Sequence, residues 1–176
     1  MLIDVSLSSA KEAYNAMESK LCHIAIMATQ NIPQTAARIG SRYIGTLQIS
    51  GYCGSVSELL NGEVITLDDL RLVRQYQFDK TRMGDLGGLA FSNKVEKVGS
   101  FELARELLAE DGWMMLSKHM ATPWVDAGVL SRLNVDDVAR DYKQGVTVFY
   151  GLSAAEVNEV RDSLDAIEAC SGKYLD

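Results

Sequence analysis

The 176-residue sequence is short of the residues that usually build metal and disulfide chemistry: it has two histidines, three cysteines and two prolines. His23 and His119 have no partner at ligand spacing, and Cys22, Cys53 and Cys170 form no CxxC pair, so no metal is expected. Three scattered cysteines do not make a disulfide framework and point to reduced thiols in the cytoplasm. No apolar run approaches the roughly 20 residues that span a bilayer. No basic residue precedes Lys11, so the N-terminus lacks the charged region of a signal peptide. Repeats, low-complexity stretches and long linkers are absent. The glycine loops are incomplete as phosphate cradles: Gly40-x-x-x-x-Gly45 lacks the Lys-Ser/Thr ending, and Gly84-x-x-Gly87-Gly88 is not GxGxxG. No cofactor is expected.

What remains is an ordinary globular composition, 47% apolar and 23% charged. The length predicts a single globular domain over 1–176. The net charge of −7 is uneven: residues 1–88 carry 8 Lys and Arg against 9 Asp and Glu, and residues 89–176 carry 9 against 15. Such a chain repels a phosphate backbone, so nucleic acid is not the expected partner.

The patterning reads as mostly helical. Met1 to Leu7 alternates and predicts a short strand. Ser9-x-x-Glu12 is a capping box, and Ala10, Ala13, Tyr14, Met17, Leu21, Ile24 and Ala28 then hold a helical period. One helix over 10–28 satisfies this period best; the competing reading breaks it at Lys20 and makes Cys22–Ala28 a strand. Residues 34–49 are ambiguous, because Gly40 and Gly45 weaken a helix, and Gly51 and Gly54 read as a turn. Ser55-x-x-Glu58 predicts a short helix. Thr66 caps another, with a stripe of Leu67, Leu70, Val73 and Tyr76. Residues 89–98 hold a candidate strand, Ser100 starts a helix that Gly112 stops, and Trp113–Met120 reads as a short apolar helix. Asn134 with Asp137 caps a further helix. Gly145–Gly151 (GVTVFYG) is the clearest strand signal, and Ser153-x-x-Glu156 opens a last helix that ends at Gly172. The expected fold is therefore mainly α, a compact domain of about seven helices with a few short strands, with α+β as the alternative.

Two tryptophans and their neighbours carry the leading functional expectation. Trp113, Met120 and Trp124, rimmed by Asp111 and Asp126, have the composition of an adaptable binding surface. With the acidic second half, this predicts a small cytoplasmic regulator, inhibitor or adaptor that works by protein–protein binding. Its partners would be a protein with a basic surface or a second copy of the chain, as a homodimer. The alternative is a thiol-dependent hydrolase. Cys53 precedes a predicted helix, whose N-terminal amides would favour a thiolate, and His119 would act as base with Asp126 or Asn134 orienting it. A second alternative is a DNA-binding regulator. Thr35–Gly40 has the spacing of a helix and turn, and Arg38 and Arg42 lie in a stretch without acidic residues, 30–57, the only locally basic region.

Overall fold

A computed structural model describes residues 3–29, 38–62, 64–79, 90–136 and 142–176. Its elements, in chain order, are α1 (Ala10–Glu18), β1 (Ile24–Ala28), β2 (Ile39–Gly54), α2 (Leu67–Leu72), β3 (Gln75–Phe78), β4 (Val95–Val98), α3 (Phe101–Glu110), β5 (Trp113–Ser117), α4 (Lys118–Asp126), β6 (Leu130–Arg132), β7 (Tyr142–Gly151) and α5 (Asn158–Ser171). The strands pair in the order β1-β7-β2-β5-β3-β4, with β6 also on β2, and the pairing is mixed. The fold is thus α/β, which corrects the mainly α expectation. The physical reason is that apolar runs taken as helices are short strands, β1 buried on one face and β5 on both, and periodicity over so few residues does not distinguish strand from helix.

The chain divides into two compact units, 1–47 with 144–176, and 48–143. In the first unit the Ser9 box forms as expected: the Ser9 hydroxyl accepts from the Glu12 N–H, and the Glu12 carboxylate accepts from the Ser9 N–H at 2.9 Å. The single helix over 10–28 does not form. Lys20 takes a left-handed φ of 60°, Leu21 is exposed, and the apolar run resumes as β1. β1 pairs antiparallel with β7, from Ile24 opposite Tyr150 to Ala28 opposite Val146. Ala25 and Met27 turn one face of β1 toward Met17 of α1, together with Phe149. Arg42 of β2 ties α5 down through Glu168 at 3.1 Å and Asp165 at 3.6 Å, and its guanidinium lies over the Tyr150 ring. The C-terminal residues return to β2, where Thr46 and Asp176 exchange two backbone hydrogen bonds.

The second unit is layered. Tyr52, Met114 and Leu116 face one core with Tyr76, Phe78, Ala104, Leu108 and Ala121. Cys53 and Trp113, one residue out of phase, face the other with Leu70, Leu133 and Val135. α3 and α4 supply the first cover and α2 the second. Thr66 caps α2, as the sequence predicts, and the structure adds a capping box with Asp69; the stripe stops before Tyr76, which belongs to β3. Ser57, not Ser55, caps the single turn at Glu58–Leu60. Ser153 makes no side-chain cap bond, and α5 begins only after Val157. Gly51 and Gly54 do not form a turn but lie within β2. The Asp137 side of the predicted Asn134 cap lies outside the described residues. Buried Gln75 is satisfied by the N–H groups of Phe91 at 2.8 Å and Ser92 at 3.1 Å.

Candidate functional site

The proposed catalytic residues do not meet. Cys53 is fully buried against Trp113, and burial pushes its thiol up, with a hydrogen bond to Ser57 pulling weakly the other way. That is the opposite of an activated thiolate. The helix expected to lower it is a single turn. Cys53 lies opposite Trp113 and Ile49 opposite Ser117, so about 13 Å of strand separates Cys53 from the end of β5 where His119 follows. Asp126 is at the far end of α4 from His119, roughly 10 Å along the axis. The Asn134 backbone carbonyl accepts from the Ile65 N–H.

The expected binding surface divides as well. Trp113–Met120 is not one helix: β5 ends at Ser117 and α4 begins at Lys118. Trp113 is 0% exposed and its indole N–H donates to the Leu70 carbonyl at 3.3 Å, so it is core. Met120 and Trp124 are half-buried against Phe101, and the Arg105 guanidinium sits 4.6 Å from the Trp124 ring centre. Asp111 is exposed beside Arg74 at 4.0 Å, and Asp126 is exposed at the end of its helix. Arg38 lies in the turn before β2 and Arg42 within it, so no recognition helix runs there; Arg42 is engaged by the two carboxylates of α5. Residues 35–37 of the predicted Thr35–Gly40 segment lie outside the described residues. Among the described residues no cluster of metal ligands occurs, and no helix is long and apolar enough to cross a membrane.

What the fold does assemble is a polar edge in each unit. In the second unit β3 runs parallel to both β4 and β5. The chain leaves the carboxyl end of β4 into α3 and of β5 into α4, so two helix N-termini open at the same edge of the parallel strands. Ser100 and Ser117 cap them, accepting from the N–H groups of Leu103 at 3.2 Å and Met120 at 3.4 Å. First-turn amides of both helices open at this edge, with the exposed side chains of Lys118 and His119 on α4, Glu102 in the first turn of α3 and Asp79 at the end of β3. Open α/β sheets hold ligands at the carboxyl ends of their strands. In the first unit, the Thr29 and Thr147 hydroxyls bond at 2.9 Å at the end of the β1–β7 ladder. Gly145 is required beside them, since a Cβ there would stand 2.7 Å from the Thr29 hydroxyl. Sequence reasoning found Ser100 through its capping pattern. It missed Ser117 and Lys118, because the run from Trp113 gave no sign of where strand becomes helix.

No protein-family model and no curated protein sequence matches the chain. Solved structures do match it, and the architecture is that of the regulatory domains of LysR family regulators. The regulatory domain of MetR from N. meningitidis superposes with a TM-score of 0.74 at 11% identity, over 99% of this chain and 82% of that one. The CcmR regulatory domain of Synechocystis PCC6803, in complex with 2-PG, gives 0.73 at 13% identity, over 97% and 83%. Full-length LysG from Corynebacterium glutamicum, with bound effector Arg, gives 0.71 at 16% identity, over 98% of this chain and 59% of that protein. At these identities the likeness is one of fold. It nevertheless overturns the expectation of a helical protein-binding inhibitor or adaptor and the thiol hydrolase alternative, since neither belongs with this architecture.

Proposed function

We propose that the chain is a ligand-binding regulatory domain of the LysR type, acting as one domain over 1–176 in the cytoplasm and pairing with a second copy of itself. The observation that carries this reading is the superposition on the MetR regulatory domain across 99% of the chain. The bound 2-PG of CcmR and the effector Arg of LysG are the precedent for a small-molecule effector as partner. The two helix N-termini at Ser100 and Ser117, with the Lys118 ammonium beside the second, support an effector bearing a carboxylate or phosphate, held by helix amides. Effector binding would act by favouring one of two conformations of the chain, by as much as its affinity for the two differs.

The test is calorimetric titration with amino acids, small dicarboxylates and sugar phosphates, alongside thermal melting. One compound class should bind, and at a hundredfold excess over Kd it should add about 2.7 kcal/mol of stability. Lys118→Glu should weaken that binding at least tenfold with the apo melting temperature unchanged. The reading fails if nothing in the panel binds. It also fails in its placement of the anion if Lys118→Glu leaves the affinity as it was.

A further inference from the structure

The first unit carries two complementary features that its own fold leaves unused. Among the described residues, β1 pairs with one strand only, β7; no strand pairs with its other edge, where the Ile24 carbonyl accepts from the Cys22 thiol at 3.0 Å. On the face of β1 away from α1, Ile26 is 55% exposed although Val148 opposite it is fully buried, so apolar cover stops at this edge. The second feature is Ile3–Leu7. It alternates Ile3, Val5 and Leu7 with Asp4 and Ser6, a strand pattern, yet residues 3–8 lie outside every helix and strand. Ile3, Val5 and Leu7 are 64%, 83% and 66% exposed. Neither segment contains proline, so every backbone N–H can donate. Open edges of this kind accept an added strand, whose backbone provides affinity and whose alternate side chains provide register.

We propose that two copies of this chain associate by strand exchange, Ile3–Leu7 of each adding to the free edge of β1 in the other. Four observations favour a second copy over an unrelated partner. The edge and the strand to fill it are five residues each. Both occur on one chain, so the exchange is reciprocal and closes at two copies. Asp4 in the added strand meets an edge flanked by the exposed Lys20 and His23. In its own chain the segment stays off that edge. The register that sets Val5 beside Ile26 covers the exposed isoleucine. The proposal rests on the pairing with a second copy stated above and specifies its surface.

Light scattering after size exclusion, from 1 to 100 µM protein, tests it. The unmodified chain should be dimeric in the upper part of that range. Val5→Lys and Ile26→Lys should each raise the dimer dissociation constant at least tenfold, and a peptide of residues 1–8 at millimolar concentration should dissociate the dimer. Both substituted side chains are exposed in the monomer, and an unchanged circular dichroism spectrum verifies the fold. Amides of residues 3–7 should gain hydrogen-exchange protection with concentration. A monomer at 100 µM overturns both the exchange and the pairing. A dimer that persists in both variants keeps the pairing and overturns the exchange.

Discussion

β1 and β5 are five-residue strands of nearly equal apolarity, IAIMA and WMMLS, and they lie in different units of the chain. β5 has a strand on each side, β2 and β3, and a core on each face, so Trp113, Met114 and Leu116 are all at most 2% exposed. β1 has a strand on one side, and only the face toward α1 is closed; Ile26 is left 55% in solvent. The difference teaches that apolar content alone does not set how deeply a strand is buried. The neighbours do, and they come from distant parts of the chain: Gln75 and Tyr76 of β3 opposite Trp113 and Met114, Cys53 and Tyr52 of β2 on the other side.

Replacing one side chain in each strand should expose the contrast most strongly. Trp113→Ala is expected to cost about 3–5 kcal/mol, since it empties a large part of a fully covered core and strands the Leu70 carbonyl. Ile26→Ala should cost less than about 1 kcal/mol in the monomer. Urea unfolding of the two variants at low protein concentration measures both. Comparable losses would mean that β1 is as covered as β5.

A smaller effect separates enclosure from conformation at the entrance to β5. Gly112 and Gly128 both adopt left-handed φ, +79° and +71°. A Cβ on Gly112 would stand 2.7 Å from the Arg74 carbonyl oxygen, whereas nothing lies within 4 Å at Gly128. Gly112→Ala should therefore destabilise by about 2–3 kcal/mol and Gly128→Ala by about 1 kcal/mol. Melting temperatures that fall equally would show that the backbone at Arg74 yields, and that the approach to β5 is looser than its burial implies.

The smallest effects should not distinguish the units at all, because caps are local. The Ser9 N–H and then its hydroxyl hold the Glu12 carboxyl below its ordinary value, and the Thr66 hydroxyl and then its N–H do the same for Asp69. The folded value of each lies below the unfolded one. The stabilisation is therefore complete above the unfolded value and is lost as pH falls through the acid carboxylate range. Glu12→Gln and Asp69→Asn should each lower stability slightly at pH 7 and make no difference near pH 2. Denaturant titrations at the two pH values test this, and an effect that survives at low pH would assign these carboxylates another role.

Local chemistry made some of the molecule legible in its residues alone. Ser9 with Glu12, Thr66 and Ser100 mark helix starts because a short side-chain acceptor and the first free amides are neighbours in the chain. GVTVFYG declares β7 through its branched and aromatic residues between glycines. One anchor of the polar edge, Ser100, was readable in this way. The break at Lys20, the long β2 running through Gly40, Gly45 and Gly51, and the change from strand to helix at Ser117 were not, since each depends on partners remote in sequence. Gly45 lies against Leu175, Gly51 against Leu133 and Trp113, and the Trp113 run becomes a strand only because β2 and β3 flank it. The sequence by itself determined three helix starts, at Ser9, Thr66 and Ser100. Tertiary structure decided which apolar runs became strands, that Trp113 and Cys53 are core, and that Ser100 and Ser117, 17 residues apart, open their helices on one edge. The physical reason is that a cap completes its hydrogen bonds within one turn, while a strand completes its own only on another part of the chain.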